Sequence, residues 1–242
     1  MPEILGSKVD NVTMQQALER IEVFIRDKSF AHIVTLNAEI AWLAHSDEKL
    51  RRVINDAALV TPDGSGIVWA AEQLGCPLPE RVAGCDLAEQ LCALAAQKGY
   101  KVFMLGAEQG VAEEAAQKLC AKYPGLSICG CYHGFFLKEP DGTQKVYALL
   151  REAQPDILLV AMGAPKQEFV IEDMKGKLPS MVVMGVGGSF DVFAGRVKRA
   201  PVIVQKLHLE WLWRTVLQPS RWKRTMRLPL FMREVRRRAK AK

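Results

Sequence analysis

The stretch KGYKVFMLGAEQGVAEEAAQKLCAKYPG (residues 98–125) decides the fold, because a glycine turn joins its short apolar run to a helical pattern. Two similar units follow, in which YPG leads into LSICGCY (126–132) and AQPD leads into ILLVAMGAP (157–165). The apolar runs are continuous instead of alternating, which is typical of parallel strands covered on both faces. We therefore predict a Rossmann-like core from about Tyr100 to Gly188.

Working outward from this core, strand-like runs also stand at HIVTLN (32–37), AALVTP (57–62) and MVVMGVGG (181–188), with helical patterns between them. The predicted fold class is α/β, a Rossmann-like parallel sheet with helices on both faces and a basic helical appendage at the C-terminus. Hydrophobic residues make up 49% of the 242 residues, so the chain can bury a full core and gross disorder is excluded.

Charge divides the chain into two parts. Residues 196–242 hold 15 of the 33 basic residues and 2 of the 27 acidic ones, for a net charge of +13. Residues 1–195 hold the other 18 basic and 25 acidic residues, for a net charge of −7. We predict a catalytic body over residues 1–195 and a basic appendage over residues 196–242. Such an appendage requires an anionic partner, which can be a membrane surface, a nucleic acid or a phosphorylated ligand.

The basic segment has helical patterning. We predict one helix from about Pro201 to Leu217, a break at Gln218 and Pro219, and a second helix interrupted near Pro229. Three arginines are spaced so that they can share a neighbourhood across the break, and four apolar residues can form one stripe on the first helix. These residues are Arg214, Arg221 and Arg224, and Leu207, Trp211, Leu212 and Trp213. The stripe can pack on the body or contact lipid.

The six cysteines, at positions 76, 85, 92, 120, 129 and 131, form no CxxC pair and have no histidine at ligand spacing. They are interpreted as small buried hydrophobes in a reducing compartment rather than a metal site. No basic stretch followed by an apolar one opens the chain, and no apolar run approaches the roughly 20 residues that span a bilayer. We therefore expect a cytosolic body.

Polar residues at the carboxyl ends of the predicted strands are the first candidates for a site, because ligands bind there in parallel sheets. Thr35 and Asn37 close the strand HIVTLN, although both types also cap helices. Asp63, in TPDGSG, follows the next strand. Its carboxylate can act as a general base facing a cleft, or it can belong to an ordinary turn and cap. The TPDGSG segment by itself supports the two interpretations equally.

Two further segments could hold phosphate. Arg81, in RVAGCDL, precedes a helix that Asp86 could cap. It can be a surface ion-pair residue or can aim at a phosphate or leaving group. Gly106 belongs to LGAEQG, a strand–turn–helix segment that lacks a full GxGxxG pattern. Its helix start could still bind phosphate through backbone N–H groups.

Two glycine-containing segments follow the last predicted strands. In GAPKQE, a polar run directly after a buried strand is hard to explain by packing, so a functional role is favoured. In GVGGSFDVFAG, the glycines let the backbone approach a ligand closely, and the aspartate can accept from a sugar hydroxyl, although a tight turn and cap is the alternative. The candidate residues are Gly163, Lys166, Gln167, Gly187, Gly188 and Asp191.

The chain contains no Asp-x-Asp pair, which is the metal–diphosphate handle of many sugar-nucleotide transferases. A diphosphate leaving group would then need arginine, lysine and helix N-termini to stabilise its charge. The arginines of the basic segment could supply that charge. No metal and no other cofactor are expected.

Six blocks, taken together and in order, resemble the WecG/TagA/CpsF family of bacterial glycosyltransferases, over about Leu5 to Arg227. They are TLNAE, TPDGSG, RVAGCDL, GAPKQE, GVGGSFDVFAGRVKRAP and EWLWR…QPSRWKR. The resemblance implies inverting, metal-independent transfer of N-acetylmannosamine from UDP-N-acetylmannosamine to undecaprenyl-diphosphate-linked N-acetylglucosamine. The product would carry a β-1,4 linkage, made early in wall teichoic acid or related surface-polysaccharide synthesis. UDP-N-acetylmannosaminuronic acid and UDP-glucose are alternative donors in relatives.

The resemblance also implies roles for individual residues. Asp63 matches the general base, which takes the proton from the acceptor 4-hydroxyl. The polar residues of the family's active-site pocket correspond to Thr35, Asn37, Arg81 and Gln167. The family's C-terminal appendage closes over the diphosphate, and its basic residues correspond to Arg214, Arg221 and Arg224.

An acceptor on a long polyprenyl lipid stays in the bilayer, so the enzyme must dock there. We expect a peripheral protein on the inner face of the bacterial membrane, held by tail cations and by Trp211, Trp213, Trp222 and Phe231. An undocked apolar stripe could promote self-association. The rivals are a nucleic-acid-binding protein, a nucleotide-dependent oxidoreductase and a membrane scaffold without catalysis. The first leaves the glycine blocks unexplained, and the second lacks the full glycine fingerprint.

Overall fold

The computed structural model describes residues 2–201, 204, 212–213 and 226–241. In chain order its strands are β1 (Glu3–Ile4), β2 (Ser7–Lys8), β3 (Ala31–Leu36), β4 (Leu59–Pro62), β5 (Lys101–Gly106), β6 (Ser127–Tyr132), β7 (Ile157–Ala161) and β8 (Val182–Gly185). β1 and β2 form an antiparallel pair. The other six form one parallel sheet in the order β4-β3-β8-β7-β5-β6. The predicted α/β class is confirmed, and β3 and β4 extend the sheet beyond the core expected at residues 100–188.

Helices cover the sheet. They are α1 (Met14–Arg26), α2 (Ala38–Ser46), α3 (Glu48–Asp56), α4 (Ser65–Gln73), α5 (Gly84–Lys98), α6 (Val111–Lys122), α7 (Gly142–Ala153), α8 (Lys166–Met174), α9 (Ser189–Phe193), a 3₁₀ turn (Phe136–Lys138) and a C-terminal helix (Arg227–Lys240). Their ends follow local chemistry. Thr13 and Gln16 form a capping box at the start of α1, and Gly99 ends α5 in the left-handed conformation.

The two faces of the sheet have separate helix layers. Helices α1, α5, α6 and α9 pack on one face. Helices α2, α3, α4, α7 and α8 pack on the opposite face together with the C-terminal helix. Side chains alternate between the layers, so Ile33 belongs to the first core and Val34 to the second. Every residue of β3 and β7 is buried, which explains their unbroken apolar sequence.

The strand order places a crevice at the carboxyl edge of the sheet. After β5 the chain continues into α6 on one face, whereas after the neighbouring β7 it continues into α8 on the other. Adjacent strands whose connections leave in opposite directions open a cleft between their ends. The same reversal occurs between β7, which leads into α8, and β8, which leads into α9. The loops that the sequence singled out therefore lie along this edge.

The C-terminal helix belongs to the core of the opposite face. Phe231 and Val235 are fully buried against α2 and α4. The prediction that Phe231 anchors the protein in lipid is therefore wrong. The interruption expected at Pro229 is also wrong, because the proline lies in the first turn, where no intrahelical N–H partner is lost.

Part of the basic segment lies outside the described residues. That part contains most of the helix predicted over residues 201–217, the break at 218–219, and Leu207, Trp211 and Trp222. Trp213 is half-buried, and its indole nitrogen lies 3.5 Å from the Lys198 carbonyl oxygen. The division at residue 195 stays a prediction. In the described part of the chain, no helix combines the length and the apolar character needed to cross a bilayer.

Candidate active site

The carboxyl edge gathers segments that are distant in sequence. Thr35, at the end of β3, is buried, and its hydroxyl lies 3.5 Å from the carbonyl oxygen of Gly185 at the end of β8. Its side chain also packs on Gly84, where an added Cβ would approach Thr35 Oγ1 to 2.9 Å. The start of α5 and the ends of β3 and β8 therefore meet at Thr35.

Asp63 directly follows β4. Its backbone N–H donates to the Leu36 carbonyl at 2.8 Å, which fixes it beside the end of β3. The N-cap of α4 is Gly64, and no side-chain hydrogen bond is made at that cap residue. The half-buried Asp63 stands one residue before it, at the carboxyl edge of the sheet. Both interpretations of Asp63, the general base and the turn residue, stay predictions.

The side chain of Asn37 caps a helix, as one interpretation of the sequence predicted. Its Oδ1 accepts from the backbone N–H of Ile40 at 3.0 Å and starts α2. Because the cap uses the amide oxygen, the amide nitrogen is the group that can donate to a ligand.

Arg81 lies close to Asp63 through the backbone. The N–H of Val82 donates to the Pro62 carbonyl at 2.9 Å, so the half-buried Arg81 lies beside the end of β4. The cap expected from Asp86 is wrong, since α5 begins at Gly84, and its N-cap Ala83 makes no side-chain cap hydrogen bond. Asp86 instead pairs with Arg199, whose Nη2 lies 2.6 Å from Oδ2. This ion pair ties the beginning of the basic segment to the body.

Gln167 is the best-defined side chain of the site. It is 3% exposed, and its Oε1 accepts from the N–H groups of Gly163 at 3.1 Å and Gly187 at 3.0 Å. It therefore joins the loops that follow β7 and β8. A side chain at Gly185 would collide with the Gln167 amide, which explains the glycine there. Gly163 and Gly187 thus both contact Gln167, which brings the two glycine segments together.

Glu168 belongs to this site although it did not stand out in the sequence. This residue is 1% exposed, and its Oε1 accepts from Gln167 Nε2 at 3.0 Å. Among the described atoms, Oε2 has no hydrogen-bond partner. Burial raises the pKa of this carboxyl, although the Gln167 hydrogen bond opposes the shift. No sequence signal indicated it, because a glutamate in the first turn of a helix is normally a surface residue.

Lys166 begins α8 at the same edge. Its Nζ donates to the carbonyl of Gly134, in the loop after β6, at 3.2 Å. Burial and the nearby Lys138 ammonium lower the pKa of Lys166. An anion placed between these two cations would relieve their repulsion. The described geometry therefore suits Lys166 to a phosphate.

The remaining glycines have different explanations. A Cβ on Gly106 would overlap the Ala161 backbone, so the contact between β5 and β7 by itself requires glycine there. Gly187 has a φ of +53° and open space around its Cα, and Gly188 begins α9. Asp191 lies in the first turn of α9, and its carbonyl accepts from Arg196 and Val197. Substrate contacts of these residues stay predictions.

The arginines of the basic segment, Arg214, Arg221 and Arg224, lie outside the described residues. The C-terminal helix nevertheless starts at the carboxyl edge, because Arg227 Nη1 lies 3.2 Å from Oε1 of Glu39 in the first turn of α2. Within the described ranges, no three His, Cys, Asp or Glu side chains are grouped to hold a metal ion. Metal independence remains an expectation.

Comparison with known proteins identifies the family. A model described as the glycosyl transferase WecG/TagA/CpsF family matches residues 2–242. The chain belongs to the WecG/TagA/CpsF glycosyl transferase family. Proteins from Staphylococcus aureus strains NCTC 8325 / PS 47 and COL are 38% identical over 242 residues, covering 99% of this chain and 92% of each relative. Both are named N-acetylglucosaminyldiphosphoundecaprenol N-acetyl-beta-D-mannosaminyltransferase.

In this member of the WecG/TagA/CpsF family, one edge of the sheet collects carboxylate, amide, hydroxyl and cationic side chains. A carboxylate that can accept a proton stands at β4, and amide, hydroxyl and cationic donors stand around it at β3, α5 and α8. The ordinary order of a parallel sheet has placed all of them at one edge.

Proposed function

We propose that this enzyme transfers N-acetylmannosamine from UDP-N-acetylmannosamine to a polyprenyl-diphosphate-linked N-acetylglucosamine. The names of the 38% identical relatives support both the sugar and the acceptor. The observation that carries the proposal is the position of Asp63, a half-buried carboxylate that directly follows β4 at the carboxyl edge of the sheet. The reaction would be an early step in making wall teichoic acid or a related surface polysaccharide.

In the proposed step, Asp63 accepts the proton of the acceptor 4-hydroxyl as that oxygen bonds to the sugar C1. The bond between C1 and the UDP oxygen breaks on the opposite face, so the anomeric centre inverts and the new linkage is β-1,4. Negative charge then develops on the leaving diphosphate. Arg81, Lys166 and the arginines at 214, 221 and 224 are proposed to stabilise that charge without an essential metal.

The test measures UDP release from UDP-N-acetylmannosamine with EDTA and a lipid-diphosphate N-acetylglucosamine acceptor. Asp63→Asn should lower kcat at least about 100-fold, since a general base contributes roughly that much. Asp56→Asn is the matched control, because Asp56 is exposed at the other end of β4. Wild-type activity in Asp63→Asn would exclude the assigned base. If only UDP-N-acetylmannosaminuronic acid or UDP-glucose supports transfer, the donor assignment is wrong and the reaction class stands.

We further propose that the enzyme works as a peripheral protein on the inner membrane face, because its acceptor is attached to a lipid. Met226 and Leu230 are exposed apolar residues at the start of the C-terminal helix, and Arg233 and Arg237 are exposed cations further along it. Apolar and basic residues on one surface helix suit an anionic lipid surface.

A further inference from the structure

A groove runs along α8 on the face of the sheet that also holds the C-terminal helix. Its volume is about 420 Å³, which lies within the range of roughly 300–1,000 Å³ found for ligand sites. It is lined by Phe136, Leu137, Thr143, Tyr147, Pro165, Lys166, Phe169, Val170 and Asp173. The groove extends from Lys166, at the carboxyl edge, to Asp173, about 10 Å further along the helix. Most of its lining is carbon.

The edge of the groove is an exposed apolar patch. Phe135 and Leu137 are both 46% exposed, on either side of the buried Phe136. Few large hydrophobic residues in the described part of the chain are this exposed. Two others, Met226 and Leu230, belong to the C-terminal helix. Adjacent exposed apolar side chains beside a groove indicate a surface that contacts something apolar.

Two lysines stand at the carboxyl-edge end of the groove. Lys138 Nζ lies 5.6 Å from the centre of the Phe135 ring, and Lys166 stands at the groove itself. At the far end, Asp173 is already paired with Lys177 and accepts from the Tyr147 hydroxyl at 2.7 Å. The groove therefore presents cations near the active site and an apolar channel leading away from it.

The position of the groove agrees with access from a bilayer. The C-terminal helix begins at the same edge and on the same face, where Arg227 pairs with Glu39. Its exposed Met226 and Leu230 and the exposed Phe135 and Leu137 thus stand on one face of the sheet.

We propose that this groove receives the first isoprene units of the lipid acceptor, with Lys138 and Lys166 beside its diphosphate. The identity of the acceptor rests on the proposed function. An isoprenoid chain has no polar atoms to satisfy, so it fits a carbon-lined channel. A uracil ring or a sugar would lose hydrogen bonds to water there without replacement.

Direct labelling tests the groove without catalysis. The probe is a prenyl diphosphate with a photoreactive benzophenone on its chain, added to the full-length protein in detergent. Labelled peptides should come from residues 135–147 and 165–173. Leu137→Asp makes the edge of the groove polar, and Thr143→Trp fills the groove. Each variant should lower the yield of labelled protein about tenfold. Val23→Asp, at an exposed site on α1 on the opposite face, is the matched control.

Kinetics separate the groove from the proposed function. With a polyprenyl acceptor, both variants should raise KM about tenfold, while KM for the UDP-sugar and for an acceptor whose diphosphate carries no isoprene unit stays at the wild-type value. If the probe labels other residues, or labels the variants as strongly as the wild type, the groove does not bind the prenyl chain, even when sugar transfer is normal. Groove labelling in a wild-type enzyme that transfers no sugar overturns the proposed function and leaves the groove in place. Because Leu137 is exposed, the Leu137→Asp variant should fold. If it does not, the positions of the labelled peptides in the wild-type protein alone decide whether the groove binds the prenyl chain.

Discussion

Gln167 and Glu168 show how two adjacent side chains can fix the backbone of an active site. The Gln167 amide donates to Glu168 Oε1, which determines that its own oxygen faces Gly163 and Gly187. Gln167 and Glu168 are both buried, so water competes little for the hydrogen bond between their side chains. The loops after β7 and β8 are thereby held at one distance from each other.

Replacing Gln167 by methionine should keep the volume and remove these hydrogen bonds. Two backbone N–H groups would lose their partner, at a cost of about 1–3 kcal/mol each where water cannot reach them. We expect kcat to fall more than KM rises, together with a lower urea midpoint. Gln144→Met, on the exposed side of α7, is the control. Unchanged kcat with a lower midpoint would show that Gln167 serves stability alone.

His32 gives the fold a dependence on pH. It is buried on β3, and both ring nitrogens lack a hydrogen-bond partner among the described atoms. Burial, together with the charge of Lys175, lowers the pKa of His32 from 6.5 to about 3. Between these values the unfolded chain binds a proton that the folded protein does not. The stabilisation is therefore complete above pH 6.5 and decreases as the pH falls toward 3.

His32→Phe should remove this dependence. Urea unfolding of the wild type should lose up to about 1.4 kcal/mol for each pH unit between 6.5 and 4. The phenylalanine variant should lose less over the same range, because its ring does not titrate. Equal slopes in the two proteins would assign the acid sensitivity to other groups.

At the scale of elements, the C-terminal helix combines a buried and an exposed side. Phe231 is fully buried against α2 and α4, whereas the neighbouring Leu230 is 47% exposed. Removing the whole segment 196–242 would therefore uncover these helices as well as remove the basic residues. Point variants separate the two effects.

Phe231→Ala should destabilise the protein by about 3–5 kcal/mol, the usual cost of emptying a phenylalanine site in a core. Leu230→Ala is the control and should change the free energy of unfolding by less than about 0.5 kcal/mol. Urea denaturation of both variants checks this. If Phe231→Ala were as stable as wild type, the helix would not be part of the core in solution.

At the scale of the whole molecule, the charge asymmetry should appear as membrane binding. Each lysine or arginine near an anionic leaflet contributes about 1 kcal/mol, and salt screens this attraction. Changing Arg233, Arg237 and Lys240 to glutamine together should weaken binding to anionic vesicles roughly 100-fold at low salt.

The same charge change on the body is the control. Arg26→Gln, Lys28→Gln and Lys98→Gln remove three exposed cations from α1, the turn after it and α5, on the opposite face of the sheet, and vesicle binding should keep its wild-type strength. Flotation assays at two salt concentrations measure both triple variants. Equal losses would mean that the overall charge, rather than the C-terminal helix, attracts the membrane. Self-association away from the membrane stays a prediction for the same samples.

The sequence by itself determined the six parallel strands, the helices between them and the edge where the polar residues gather. These follow from local patterns, because continuous apolar runs and glycine turns act over a few residues. Asp63, Thr35 and Gln167 could be selected from their positions after strands. The general base role of Asp63 stays a prediction, because the turn chemistry of TPDGSG accounts for an aspartate there equally well.

Only the tertiary structure decided which distant residues meet. Thr35 and Gly185 are 150 residues apart, and Asp86 and Arg199 are 113 apart, so no local pattern connects them. The burial of Glu168 and Phe231 was equally hidden, since a glutamate in a first turn and a phenylalanine in a basic helix look like surface residues in sequence. Burial depends on which elements pack together, and that is set by the strand order and the long connections of the whole chain.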